Sequence, residues 1–202
     1  MIKNIIFDFG DIFINLDKPA VFKVLAQFGY TKVTPEMDKI MKDYEMGLIS
    51  SLDFISALHA IFPNAQPEEL INAWNSILLD FPEYRLAFLE ELAAENKFRL
   101  FLLSNTNEIH IAFVINAMGL ARFERFKACF EKFYLSHEIK LRKPNRAIYE
   151  YVLAENILKA EETFFIDDTK ENTDAASLVG IKSWNLKVGQ EDIIELKYKL
   201  LR

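Results

Sequence analysis

The chain is short of the residues on which several kinds of protein depend. One cysteine, Cys129, stands among 202 residues, which excludes an intrachain disulfide framework and a zinc site built on several thiolates. Six glycines, at positions 10, 29, 47, 119, 180 and 189, never precede lysine and never fall into GxGxxG spacing. Neither a Walker phosphate loop nor the usual dinucleotide fingerprint is therefore present. Three histidines, His59, His110 and His137, lie too far apart for an HExxH metal site, and GxSxG is missing as well. No apolar run approaches 18 residues, so no membrane-spanning helix is expected. An aspartate already at position 8 leaves no room for the apolar part of a signal peptide, and the expectation is a soluble, cytoplasmic protein. Positive charge is in deficit, 24 Lys and Arg against 30 Asp and Glu, for a net charge of −6. That balance argues against a nucleic acid held by counterion release.

What is present belongs to a globular protein. Hydrophobic residues make up 51% of the chain and charged residues 27%, in a length that suits one large domain or one domain with an insertion. Short apolar runs at 2–7, 98–103 and 164–166 read as buried strands, with weaker candidates at 181–186 and 133–135. Between them lie amphipathic stretches of helical spacing. One is Arg146–Glu155, with Ile148, Tyr151 and Val152 on one side; another, 172–178, precedes Gly180 at the place of a helix C-terminal glycine. Strands alternating with helices predict an α/β fold with a mostly parallel sheet.

Residues 15–79 break this rhythm. They hold helical pieces at 20–28, 35–44, 51–61 and 67–78, with turn residues at Gly29, Gly47 and Pro63, and no convincing strand. The expected organisation is a core of residues 1–14 and 80–202 with a helical unit, 15–79, inserted after the first strand. Residues 80–83, with Pro82, form the return hinge. The plainer alternative is that these helices simply cover the sheet.

Polar residues close the strand-like runs. Asp8 follows the first, Ser104 and Asn105 the second, and Asp167 and Asp168 the third, while Lys143 lies in a loop after the fifth candidate. In an open parallel sheet this edge is where ligands bind. Each residue alone also suits a helix cap or a solvated turn. Together they make coherent chemistry. Carboxylates at 8 and 168 suit Mg²⁺, which takes few protein ligands and leaves positions for water and a phosphate. Lys143 and the Ser104–Asn105 turn can neutralise and cradle a phosphoryl group, and Asp8 can act as a nucleophile.

Four segments, IIFDFGD, LFLLSNTN, SHEIKLRKP and FFIDDTKEN, resemble in order the four motifs of the haloacid dehalogenase (HAD) superfamily. Within it the wording is similar to that of the small sugar-phosphate phosphatases, the α-D-glucose-1-phosphate phosphatase-like group. The resemblance implies a Rossmann-like core with an α-helical cap inserted after strand 1. It makes Asp8 the nucleophile and a metal ligand, and the carbonyl of Gly10 a second ligand. Ser104, helped by the backbone of Asn105, would bind the transferring group, and Lys143 would balance the charge. Asp168 would reach Mg²⁺ directly and Asp167 through a water. Asn172 corresponds to a supporting polar residue, though a first-turn helix residue is an equal reading.

One position departs from the superfamily. Two residues beyond the nucleophile many members carry an aspartate that protonates the leaving group, and here Gly10 stands there. Such acid–base help is worth about 10²–10⁴-fold, and its loss favours esters with less basic leaving groups. Asp11, the next residue, is a substitute, except that one step along an extended chain faces the other way. Lys140 stands where the family has glycine and reads as an exposed lysine. His110 reads as a surface or half-buried helix residue. Tyr44, Glu45, Met46 and Gly47 resemble the cap turn that selects substrate. Trp74 and Asn75 are candidates for a pocket wall, with core packing the reading favoured for Trp74.

The reading is a Mg²⁺-dependent phosphatase of a small phosphorylated metabolite, a sugar phosphate first, binding neither nucleic acid nor membrane. Three rivals stand beside it: a phosphoglucomutase, a 2-haloacid dehalogenase, and a non-catalytic binding protein of the same fold. Nothing in the sequence fixes an oligomeric state.

Overall fold

The computed structural model describes residues 1–200. Five strands, β1 (Asn4–Phe7), β2 (Arg99–Ser104), β3 (Lys132–Leu135), β4 (Thr163–Asp167) and β5 (Lys182–Asn185), form one sheet in the order β3-β2-β1-β4-β5. Every pairing is parallel, with Ile5 opposite Leu100 on one side and Phe164 on the other. Central strands of such a sheet are covered on both faces, which is why they read as unbroken apolar runs.

Alternate strand residues feed two separate cores, as the two-residue period of a strand requires. Ile5, Phe7, Leu100, Leu102, Phe164 and Ile166 join one, with Leu86 and Leu89 of α5 (Glu83–Ala94), Val114 of α6 (Glu108–Met118) and Phe126 of α7 (Leu120–Ala128). Ile6, Phe101, Leu103 and Phe165 join the other. Facing them, after the short α8 (Ser136–Ile139), are Tyr149 and Val152 of α9 (Arg146–Glu155) and Ala176 of α10 (Lys170–Leu178). Phenylalanines fill the first core: Phe126 packs against Phe9, Phe13, Phe81 and Phe130 at ring distances of 5.1–5.3 Å. A last short helix, α11 (Leu196–Leu200), closes that face with Leu196.

Between β1 and α5 the chain forms α1 (Ala20–Leu25), α2 (Pro35–Glu45), α3 (Ser51–Ile61) and α4 (Pro67–Asn75). Local chemistry sets their starts. The Thr34 hydroxyl accepts from Met37 N before a first-turn proline, and Ser50 with Asp53 forms a reciprocal capping box. This helical insert has its own core of Leu25, Met37, Tyr44, Phe54, Leu58 and Trp74. Its two connections run side by side: Asn15 N donates to Asp80 O, Leu79 N to Asn15 O and Asp17 N to Ile77 O, each at 2.9 Å. Leu16 and Leu78 thus form an antiparallel bridge in a region where no strand is expected from sequence. Arg85 braces the pair, donating to Asn15 Oδ1 and to Asp192 Oδ2 at 2.9 Å each.

Several boundaries differ from the sequence reading. The helix expected over 67–78 stops at Asn75, because Ile77 and Leu78 belong to the returning connection. The one expected over 20–28 divides into α1 and a 3₁₀ turn ended by Gly29 at φ 95°. Strand β5 covers Lys182–Asn185 rather than 181–186, and Ser104 and Asp167 are the last residues of their strands rather than the first beyond them. Among the described residues no helix is long and apolar enough to cross a membrane.

Candidate active site

Strand order positions the site. Connections from β1 run outward to β2 and β3, then return across β1 to β4 and β5, so the direction reverses between β1 and β4. Ligands gather outside the carboxyl ends of the strands at such a reversal. Asp8 follows β1, Asp167 ends β4 with Asp168 next, and Ser104 ends β2. Lys143 enters from the segment after α8. Its ammonium, 1% exposed, donates to Asp8 Oδ1 at 2.7 Å and to Asp167 Oδ2 at 2.6 Å.

A ring of polar contacts holds these groups. Asn172 Nδ2, in the first turn of α10, donates to both oxygens of Asp167 at 3.1 and 3.0 Å. The Tyr149 hydroxyl donates to Asn172 O at 2.8 Å, a contact across 23 positions with no sequence signal. Asn105 is committed by its side chain: its oxygen accepts from Lys143 N and its amide donates to Lys143 O, both at 2.9 Å. Its side chain fixes the segment that carries Lys143.

Electrostatics favour a bound cation. Burial pushes the Asp8 carboxyl up to about 7 against the lowering pull of Lys143, and Asp167 and Asp168 push it further. Asp168 is likewise raised by burial, with Lys18 opposing. Burial alone would lower Lys143, but Asp167 and Asp8 outweigh it and raise it. The centre holds more negative charge than its own ammonium groups balance. Asp8, Asp167 and Asp168 each offer an oxygen, and these atoms lie within 4.8 Å of one another. An all-oxygen, carboxylate-rich donor set of this kind fits a hard divalent cation such as Mg²⁺.

Residues 8–14 do not run on as an extended chain. Asp11 takes φ 56°, its N–H donates to Ile14 O at 2.7 Å, and Phe13 N returns to Phe9 O. A straight strand would turn Asp11 away from Asp8, but the chain bends here instead. Its carboxylate is instead occupied: Oδ1 accepts from Leu16 N at 3.1 Å, and Lys18 Nζ lies 3.1 Å from Oδ2. Lys18 also pairs with Asp168, and nothing in the sequence marks it. At Gly10 an added Cβ would stand 2.7 Å from Leu16 Cδ1, so leucine fills the place where a longer side chain would project.

Gly10, Ser104 and Asn105 line a cavity of about 110 Å³ whose other polar lining includes Thr106, His110 and, from the insert, Glu45. Glu45 Oε2 accepts from Arg142 Nε at 3.0 Å and from its NH2 at 2.7 Å, and Ser136 Oγ donates to Glu45 O at 2.6 Å. Lys140 sits in the left-handed region at φ 60° and its ammonium reaches Gly47 O, so the lysine has a partner on the insert. Gly47 has to be glycine: at φ 59°, a Cβ would lie 2.1 Å from His137 O. His110 is half-buried, stacked on Trp74 at 5.1 Å, with Nε2 donating to Trp74 O at 3.0 Å. Its Nδ1 then accepts from Asn107 Nδ2 at 3.2 Å. A larger open depression, about 730 Å³, lies at the opposite end of the strands. Arg99 pairs with Glu131 and Lys3 with Glu162 within it, and it contains none of the residues gathered around Asp8.

Known proteins share the sequence pattern and the fold. The family of haloacid dehalogenase-like hydrolases matches residues 2–180. A D-ribitol-5-phosphate phosphatase of Bacteroides thetaiotaomicron is 23% identical over 197 residues, 95% of each chain. A HAD family enzyme from the same bacterium, solved with magnesium and inorganic phosphate, superposes with a TM-score of 0.85 at 32% identity, covering 100% of both chains. A HAD-like family hydrolase of Porphyromonas gingivalis gives 0.83 at 28% identity, over 100% of this chain and 98% of the other.

Proposed function

The chain belongs to the haloacid dehalogenase-like hydrolases, and from that premise we propose that it is a magnesium-dependent phosphatase of a small sugar or polyol phosphate, working through a phosphoaspartate on Asp8. The observation that carries this reading is the placement of Asp8. It is buried and bound to Lys143 through one oxygen, with Asp167 and Asp168 beside it, and the residues that follow it, Phe9 and Gly10, line a cavity with Ser104. Relatives that act on ribitol 5-phosphate, or hold magnesium and phosphate, support the same assignment.

Lys143 holds Asp8 Oδ1, which leaves Oδ2 to attack phosphorus. The phosphorus–ester oxygen bond breaks as the Asp8–phosphorus bond forms, and the alcohol departs. Gly10 offers no acid, so the departing oxygen takes its proton from water. Ser104 and the backbone of Asn105 cradle the phosphoryl oxygens, and Lys143 balances part of their charge. A water molecule then attacks the acyl phosphate and frees inorganic phosphate and Asp8. Held by Asp8, Asp168 and the Gly10 carbonyl, with Asp167 acting through a water, Mg²⁺ would supply the charge neutralisation that lets a carboxylate approach an anionic phosphate. The insert, residues 15–79, serves as a cap that closes over the core of 1–14 and 80–202 and keeps bulk water, beyond the molecule that protonates the departing oxygen, from the first step. A mutase would lack at Gly10 the acid it needs in both directions, and attack on carbon would leave Asp167 and Asp168 without a task.

The test is phosphate release from a panel of sugar and polyol phosphates and p-nitrophenyl phosphate, with Mg²⁺ and with EDTA. Turnover that needs Mg²⁺ and disappears in Asp8→Asn is expected. Absence of turnover on every ester sinks the reading and leaves a binding protein of this fold.

A further inference from the structure

Two ammonium groups each bridge a pair of carboxylates at the site. Lys143 joins Asp8 to Asp167. Lys18 joins Asp11 to Asp168, its Nζ 3.1 Å from Asp11 Oδ2 and in contact with Asp168 Oδ2. The first bridge serves the nucleophile, whereas the second touches no group that reacts. Its three members come from separate segments. Asp11 stands in the turn after β1, Asp168 follows β4, and Lys18 lies in the connection entering the insert, where Asp17 N donates to Ile77 O. Asp11 is fully committed, since Oδ1 accepts from Leu16 N and Oδ2 faces Lys18. Asp168 is held twice: Asn185 Nδ2 donates to its main-chain oxygen at 2.6 Å, and Lys18 takes Oδ2. Among the described residues, its other carboxylate oxygen, Oδ1, has no protein partner.

We propose that Lys18 is a positioning residue that selects magnesium over calcium: by occupying Oδ2 it confines Asp168 to one oxygen toward the metal, and Asp11 anchors it there. The inference rests on the magnesium site of the proposed phosphatase and deepens it. Magnesium takes carboxylates one oxygen at a time and keeps several waters, whereas calcium takes about 6–8 oxygens and accepts both from one carboxylate. Lys143 already restricts Asp8 and Asp167 by binding one oxygen of each, and Asn172 lies across both oxygens of Asp167. Asp168 is the carboxylate whose two oxygens would otherwise be open, and Lys18 closes that mode. Calcium thereby loses a ligand, while magnesium loses none. The device acts on the shape of the donor set, which a distant counter-charge cannot do.

The experiment measures dissociation constants for Mg²⁺ and Ca²⁺ by displacement of Mn²⁺, followed as free Mn²⁺ by electron paramagnetic resonance. The proteins are the wild type, Lys18→Met, Lys18→Arg and Asp11→Asn. Removing an ammonium strengthens both divalent cations through charge alone, so the readout is the ratio of the two constants. That ratio does not depend on how much of a preparation is folded. The Ca²⁺ to Mg²⁺ ratio should fall about 10-fold in Lys18→Met, the lower end of what an outer partner of a metal ligand is worth. Asp11→Asn, which removes the anchor, should lower it by less, and Lys18→Arg, which keeps a charged donor, should retain most of the discrimination. A ratio in Lys18→Met equal to wild type, whether or not both constants drop together, overturns the assignment while the magnesium site stands. A wild type that binds none of the three cations removes the metal site and this inference together.

Discussion

Lys143 shows how much of the site depends on one side chain. A buried ammonium is tolerated because two carboxylates surround it, and they in turn tolerate each other because of it. Removing one partner of a buried ion pair costs about 3–5 kcal/mol. Lys143→Met should therefore lose stability of that order in urea unfolding at pH 7 with EDTA, together with its phosphate release. A variant as stable as the wild type would mean that the carboxylates do not depend on the lysine. Residues of this kind were legible from sequence where they close an apolar run, as Asp8, Ser104, Asp167 and Asp168 do. Lys143 was legible only through the wording of its segment. Lys18 and Tyr149 were not, because each acts on a partner distant in sequence, and Arg142, though in the same segment as Lys143, carries no sign there of its pairing with Glu45.

At the scale of elements, the joint between insert and core is built from polar contacts at the starts of helices. Asn107 caps α6 by accepting from His110 N at 3.0 Å, and its amide fixes the His110 ring against Trp74 of α4. The Tyr44 hydroxyl, at the end of α2, accepts from Ile109 N at 3.2 Å. The joint requires a neutral imidazole, and burial lowers His110 to about 4 from 6.5. Between those values the unfolded chain binds a proton that the folded one refuses. The contribution of His110 is thus complete above pH 6.5 and is lost as pH falls toward 4, by roughly 3 kcal/mol over the whole window. Unfolding free energy should decline more steeply over that range in the wild type than in His110→Gln; parallel curves would contradict the neutral joint. Element types were readable from apolar periodicity and capping residues. Their ends were not: Ile77 and Leu78 continue the helical pattern of α4 yet serve the connection, and the turn at Asp11 follows from a positive φ and a hydrogen bond to Ile14.

On the scale of the whole molecule, the sheet order places β1 at the centre, so the residue after it lies beside the end of β4 and within reach of Ser104 and Lys143. Two apolar layers hold the sheet rigid, and the insert carries a third core of its own. The insert joins the core through two paired connections, while Asp8, Asp167 and Lys143 are held by the sheet and its loops. The sequence carried this plan because the ends of β1, β2 and β4 bear polar residues, whereas the contacts across the joint link residues far apart in sequence. The claim at the centre of the account is that the phosphoryl group passes through Asp8. Wild type mixed with ribitol 5-phosphate and Mg²⁺, quenched in acid within one turnover and digested, should give an Asp8 peptide heavier by one phosphoryl group, absent from Asp8→Asn and from samples with EDTA. Turnover at full rate with that peptide never modified would contradict it.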